Sequence, residues 1–286
     1  MIDGELNTFR GAIAAAGRAL EAAGVQNARL DAELLMAAAC GSSRTQLFLE
    51  ADRAVPEPAL QTFQQLLDRR CRREPLQYIL GAREFWSLEF LVTPEVLIPR
   101  PETEMVIDAV LAIARSHPRR QRILDVGTGS GCVAVILARE LADAEIVAVD
   151  CSAAALEVAR ANAVRHDVAD RIRFVEGDLL TSVAPGEVDI VAANPPYVAS
   201  AAELEPELGW EPREALFAGD DGLAVLRRLI PQAAEKLCPA GWLVSEIGYD
   251  QGEAVRQLCP PERWQQVEVR ADGQGHPRVL VARTVG

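Results

Sequence analysis

The run "VAANPPY", residues 191–197, ends an apolar strand in residue types that can hold a planar NH2 group. A carboxamide, or the exocyclic amine of a base, delocalises its nitrogen lone pair into a π system and is a poor nucleophile. If the Asn194 side-chain oxygen and the Pro195 backbone carbonyl both accept its hydrogens, the nitrogen is fixed and charge is stabilised as it attacks an electrophile. Pro196 would stiffen the frame and Tyr197 stack on the planar group. Asn-Pro-Pro also makes rigid turns at strand ends, so the tetrapeptide taken alone leaves turn and clamp both open.

A second constellation lies upstream. The segment "LDVGTGSG" puts Gly127, Thr128, Gly129, Ser130 and Gly131 at a strand-to-helix turn, where glycines allow close ligand approach and the helix start offers unpaired N–H groups. The spacing is Gly-x-Gly-x-Gly, weak evidence for a nucleotide-like cofactor by itself. Asp150 strengthens it: the residue ends the next strand, where a carboxylate accepts from ribose hydroxyls, and Ser152 is free to cap the following helix. Asp178 ends a third strand in "VEGDLL", placed to accept from an adenine amine, with Leu179 beside it. Asp125 either anchors the glycine loop or faces the cofactor. A nicotinamide-dependent oxidoreductase or a non-catalytic nucleotide-binding module would share the turn and Asp150, but neither accounts for residues 194–197.

The elements that must position these residues are legible from residue 122 onward. Strand and helix patterns alternate there ("RILDVG", "CVAVILAREL", "EIVAVD", "AALEVARANAV", "IRFVEGD", "VDIVAAN"), which predicts an α/β, Rossmann-like, doubly wound sheet of seven strands. "NPPY" falls at the end of the fourth strand, over the ligand crevice. The last two strands have no long helix between them and should form a C-terminal antiparallel hairpin. Residues 1–80 read as a small helical bundle, with helices stopped by Gly24, Gly41 and Pro75, and suited to substrate docking; residues 81–99 read as a β-hairpin linker, and 100–286 as the catalytic domain. Pro101 should open a helix that ends before Pro118.

Composition narrows the function. Apolar residues make up 49% of the 286, yet no uninterrupted apolar run reaches the roughly 20 needed to span a bilayer, so no membrane association is expected. The polar, acidic start of the chain lacks a secretory pattern and a cytoplasmic location is expected. The net charge of −13 opposes stable nucleic-acid binding. Six scattered cysteines and three histidines show no metal-ligand spacing; no metal is assigned, and the thiols read as free and buried. A monomer is expected.

Through "LDVGTGSG", Asp150 and "NPPY" the chain resembles S-adenosylmethionine-dependent methyltransferases that modify amino nitrogens, and "REFWSLEFLVTPEVLIPRPETE", residues 83–104, resembles the segment preceding the catalytic domain in release factor glutamine methyltransferases. "LFAGDDGLAVLRRLI" and "LVSEIGYDQGEAV" add to the likeness. The resemblance implies methylation of the side-chain amide (N5) of the glutamine in the Gly-Gly-Gln loop of peptide-chain release factors, with S-adenosyl-L-methionine converted to S-adenosyl-L-homocysteine. It implies that residues Gly127 to Gly131 and Asp150 bind the cofactor, that Asn194 lies between cofactor and substrate, that Asn194 to Tyr197 grip the glutamine, and that the helical unit docks the release factor. Two departures stand out. Leu179 replaces an aromatic residue found beside adenine in many relatives, and the C-terminal ending differs in detail although Asp272, Gly275 and Arg278 keep the family spacing. Methylation of a ribosomal glutamine or of adenine N6 remains open at this point.

Overall fold

The computed structural model describes residues 8–117 and 121–286. They fall into two compact units, 1–82 with 205–210, and 83–204 with 211–286. The hairpin read as a linker therefore lies almost wholly in the second unit.

In the first unit, α1 (Phe9–Ala22) begins where the Thr8 hydroxyl accepts from the Gly11 amide at 3.2 Å, satisfying a donor the helix leaves unpaired. α2 (Ala28–Cys40) stops at Gly41, whose φ of 59° is the left-handed geometry of a helix end. α4 (Glu57–Cys71) follows a short α3 (Arg44–Leu49), and α5 (Leu76–Leu80) begins at Pro75. The sequence pattern passed over α3 and α5. Leu20, Leu35, Met36 and Phe63 fill the core of the bundle. Buried Arg70 pairs with buried Asp31 at 2.8 Å and with Glu207 at 3.0 Å, and Arg73 grips Glu207 at 2.6 Å, so residues 205–210 are ionically tied into this unit.

The second unit opens with β1 (Ala82–Phe85) and β2 (Leu88–Leu91), joined at Trp86 and Ser87. Both turn residues have positive φ, 53° and 57°, as a two-residue hairpin of matching twist requires. Phe85 is buried and Trp86 packs against the same core. After a single 3-10 turn at Pro101–Thr103 comes α6 (Glu104–Ser116); Pro118, expected to bound it, lies outside the described residues.

The main sheet then forms from β3 (Arg122–Val126), β4 (Glu145–Asp150), β5 (Ile172–Glu176), β6 (Val188–Ala193), β7 (Leu237–Glu246), β8 (Trp264–Ala271) and β9 (Pro277–Thr284), in the order β5-β4-β3-β6-β7-β9-β8. All neighbours through β7 are parallel, and β9 is antiparallel to both β7 and β8, as the missing terminal crossover helix predicted. Alternate strand residues serve two cores. Ile123, Ile146 and Ile190 face α6 and α7 (Cys132–Glu140), whereas Leu124, Val147 and Val191 face α10 (Ala224–Lys236), which follows a short α9 (Arg213–Leu216). α8 (Ala153–Arg165) and α11 (Gly252–Gln257) complete the layers.

Register decides where the chemistry sits. Val126 lies opposite Val149 on one side and Ala193 on the other, and Ala193 lies opposite Ser245. The next residue on each strand is Gly127, Asp150, Asn194 or Glu246. Four strands thus deliver four polar or glycine positions at one level, beside the point where strand order reverses.

Candidate active site

Beyond those strand ends lies a cavity of about 290 Å³, lined by Gly127, Thr128, Gly129, Ser130, Asp150, Asp178, Leu179, Asn194, Pro195 and Pro196 among others. The predicted residues from the glycine turn, the three strand-end positions and the Asn-Pro-Pro run are brought together. Gly131 and Tyr197 are not among the lining residues.

Gly131 has a different job. A Cβ there would lie 2.9 Å from the Ala159 Cβ and 3.0 Å from its Cα, so its missing side chain lets the turn pack on α8. Gly127 and Gly129 face no such obstacle; the nearest atom to a built Cβ is 4.0 Å away in each case. Their φ values of 71° and 53° instead satisfy the turn.

Asp150 braces the turn as well as lining the cavity: its two oxygens accept from the amides of Gly129 and Ser152, each at 2.9 Å. Ser152 caps α8 through the Ala155 amide, which leaves Asp150 free of that task. A carboxylate has about four acceptor sites, so capacity for ribose hydroxyls remains. Asp125 is 2% exposed, and one of its oxygens accepts from the Thr128 hydroxyl at 2.6 Å and the Ala134 amide at 3.1 Å. Burial pushes its carboxyl up to about 6 against the pull of those two bonds, and nearby Asp150 adds to the rise. It anchors the loop and lines the cavity. Asp178 is exposed and pairs with Arg228, and Leu179, at a φ of 52°, packs on the core below while offering the cavity an apolar wall.

At the clamp, the Asn194 side-chain nitrogen donates to the Thr103 hydroxyl at 3.0 Å. Thr103 lies 2.7 Å from Glu246 Oε2, and the Tyr197 hydroxyl donates to Glu246 Oε1 at 3.0 Å. Among the described residues nothing donates to the Asn194 side-chain oxygen. Burial raises the Tyr197 hydroxyl well above its ordinary value, with the Glu246 carboxylate adding to the shift. The Tyr197 ring is thereby tethered through its hydroxyl. Its carbonyl is fixed too: Gln251 donates to it at 3.1 Å, and a Cβ on Gly222 would fall 2.2 Å from that oxygen.

Sequence reasoning missed Thr103 and Glu246. A detectable signal existed for the second, because an acid closing the apolar strand "WLVSE" is costly unless hydrogen-bonded. Arg100 pairs with Glu211 at 2.5 Å, and Glu211 also accepts from the Ile98 amide at 3.1 Å. Asp272 and Arg278 pair at 3.0 Å across the β8–β9 turn, in which Gly275 has a φ of 87°, so that spacing staples a hairpin. None of the six cysteines is in a disulfide; Cys132 and Cys259 are buried as expected, whereas Cys151 is exposed.

Residues 11–81 match the family model for the PrmC N-terminal domain, and residues 106–211 match that for the methyltransferase small domain. The release factor glutamine methyltransferase of Nitratidesulfovibrio vulgaris is 43% identical over 282 residues, 96% of this chain and 95% of that one. That of Koribacter versatilis is 41% identical over 280 residues, 96% and 98% of the two chains. Among solved structures, a T. thermophilus 16S rRNA methyltransferase in complex with AdoMet and guanosine superimposes with a TM-score of 0.51 at 17% identity, covering 71% of this chain and 49% of that one, which supports the fold. Identity at the level of the first two relatives runs almost end to end, through helical unit and sheet alike, and the chain belongs to the release factor glutamine methyltransferase family.

Proposed function

We infer that the protein methylates the side-chain amide nitrogen of the glutamine in the Gly-Gly-Gln loop of a peptide-chain release factor, with S-adenosylmethionine as donor. The observation that carries this reading is the Asn194 carboxamide, whose nitrogen is engaged by Thr103 and whose oxygen is left to accept from a substrate NH2 group beside the cavity.

The lining fits the donor. Gly127 and Gly129 leave the turn without side chains, Asp150 has acceptor capacity for ribose hydroxyls, Asp125 presents a carboxylate to an ammonium group, and Leu179 gives an apolar surface to adenine. S-adenosylmethionine supplies an electrophilic methyl group on a positively charged sulfur and leaves as the neutral thioether. Asn194 and the Pro195 carbonyl hold the glutamine nitrogen by its hydrogens and direct its lone pair toward that methyl. Fixing two reactants in a near-attack geometry contributes about 7–11 kcal/mol in favourable cases. None of the cavity's lining residues is a His or a Lys, and none is needed: the alkylated amide nitrogen is a strong acid and sheds its proton during or after the transfer without a dedicated base.

An adenine amine would fit the same acceptors, but a net charge of −13 opposes nucleic acid, and the near full-length relatives carry the glutamine activity in their names. Release factors act in the cytoplasm, where the reading places the enzyme; among the described residues no helix is long and apolar enough to cross a membrane.

The test is direct. With labelled cofactor and intact release factor, one methyl appears on the Gly-Gly-Gln glutamine, and Asn194→Ala slows its appearance on the order of 10²-fold. A chain that binds the cofactor yet leaves that glutamine unmodified does not have this activity.

A further inference from the structure

We propose that Thr103 and Glu246 are positioning residues which dictate the end of the Asn194 carboxamide that faces the substrate. The inference rests on the proposed function, since it concerns how the acceptor of that reaction is oriented.

A carboxamide has two ends of nearly equal shape and opposite hydrogen-bonding sense. Turned one way, Asn194 offers the incoming glutamine an oxygen; turned the other, it opposes the substrate NH2 with its own NH2. Nothing in the shape of the side chain selects between them. The selection has to come from whatever holds the far end.

The far end meets Thr103, whose hydroxyl has one proton to give. Glu246 Oε2 lies 2.7 Å from that hydroxyl, and the second carboxylate oxygen already accepts from Tyr197 at 3.0 Å. An ionised carboxylate only accepts. The Thr103 proton is therefore committed to Glu246, and its oxygen can only accept from Asn194, at 3.0 Å. Reversing the amide would set its oxygen against a hydroxyl with no proton left, at a buried position where water cannot substitute. Thr103 is 2% exposed and Glu246 is fully buried. A charge on one strand thus sets the polarity of a side chain on the neighbouring strand through a single hydroxyl.

The arrangement has an acid limit. Burial lifts Glu246 to about 7, against the bonds from Thr103 and Tyr197; Glu102 pushes it further up and Arg278 holds it down, while buried Cys132 also lies within its field. Once Glu246 is protonated it can itself donate to Thr103. That hydroxyl is then free to donate to Asn194, and the amide loses its fixed sense. The productive orientation is secured above about 7 and fades as pH falls through that value.

The experiment uses the full-length enzyme, S-adenosylmethionine and intact release factor, with Thr103→Val, Thr103→Ser and Glu246→Gln beside the wild type. Cofactor affinity and thermal midpoint are measured for each. Expected are a kcat lowered by roughly tenfold or more in Thr103→Val and Glu246→Gln with cofactor affinity kept, and recovery to within about threefold of wild type in Thr103→Ser. In the wild type, kcat should fall on the acid side with a midpoint near 7, and Glu246→Gln should lack that limb. Wild-type kcat in Thr103→Val, equal losses in Ser and Val, or an acid limb that survives in Glu246→Gln would each overturn the proposal. The wild-type limb is readable even where a variant fails to fold, and its absence counts against the idea. A wild type that never methylates the release factor strikes the proposed function instead.

Discussion

Below about pH 6 the Asp125 carboxyl holds its proton, because burial has raised it from 3.8, and a neutral acid no longer attracts an ammonium group. Calorimetric titration of S-adenosylmethionine against pH should show affinity falling as pH drops through that value, by up to about tenfold per unit, with Asp125→Asn flattening the curve. Fold stability responds in the opposite sense. Between 3.8 and about 6 the folded chain keeps a proton that the unfolded chain has released, so this group's contribution is complete at low pH and is lost as pH rises through 6. The same carboxylate therefore serves binding where it is least comfortable in the fold.

Turns and strand ends divide the glycines into two kinds. Gly131→Ala meets Ala159 at 2.9 Å and must also hold a φ of 78°, so urea unfolding should report a loss of roughly 2–4 kcal/mol. Gly127→Ala meets nothing nearer than 4.0 Å and should lose only about 1–2 kcal/mol, while weakening cofactor binding. Equal unfolding midpoints for the two variants would show the distinction to be wrong. The sequence pattern revealed that these glycines form one turn; it could not separate packing from ligand approach, because Ala159 is far along the chain. β3, β4 and β6 were legible since their residues are mostly apolar on both faces and are bounded by turn residues. α3 and α5 were not, being too short to show a helical period. Asn194 and Asp150 could be found because each ends its own strand. The Thr103–Glu246 link could not, because it depends on the register of β7 against β6 and on a 3-10 turn far upstream.

At the scale of the whole molecule, the helical unit presents large apolar side chains to solvent. Phe48 is 80% and Leu49 is 73% exposed, next to a groove of about 840 Å³ lined by Ile13, Ala14 and Leu47. We propose that the release factor docks there. Phe48→Ala with Leu49→Ala in the full chain should raise the KM for intact release factor about tenfold and leave turnover of a short Gly-Gly-Gln peptide unchanged. An unchanged KM, or an equal loss on the peptide, argues against this surface. The helical unit is not one stretch of chain: it takes in Glu205–Trp210, while the chain on either side of that segment belongs to the sheet domain. A chimaera that exchanges residues 1–82 between relatives must therefore carry 205–210 with them. A graft made at one junction would leave the buried guanidinium of Arg70 facing a stranger's residue in place of Glu207, and a fault of folding would be mistaken for a mismatch in docking.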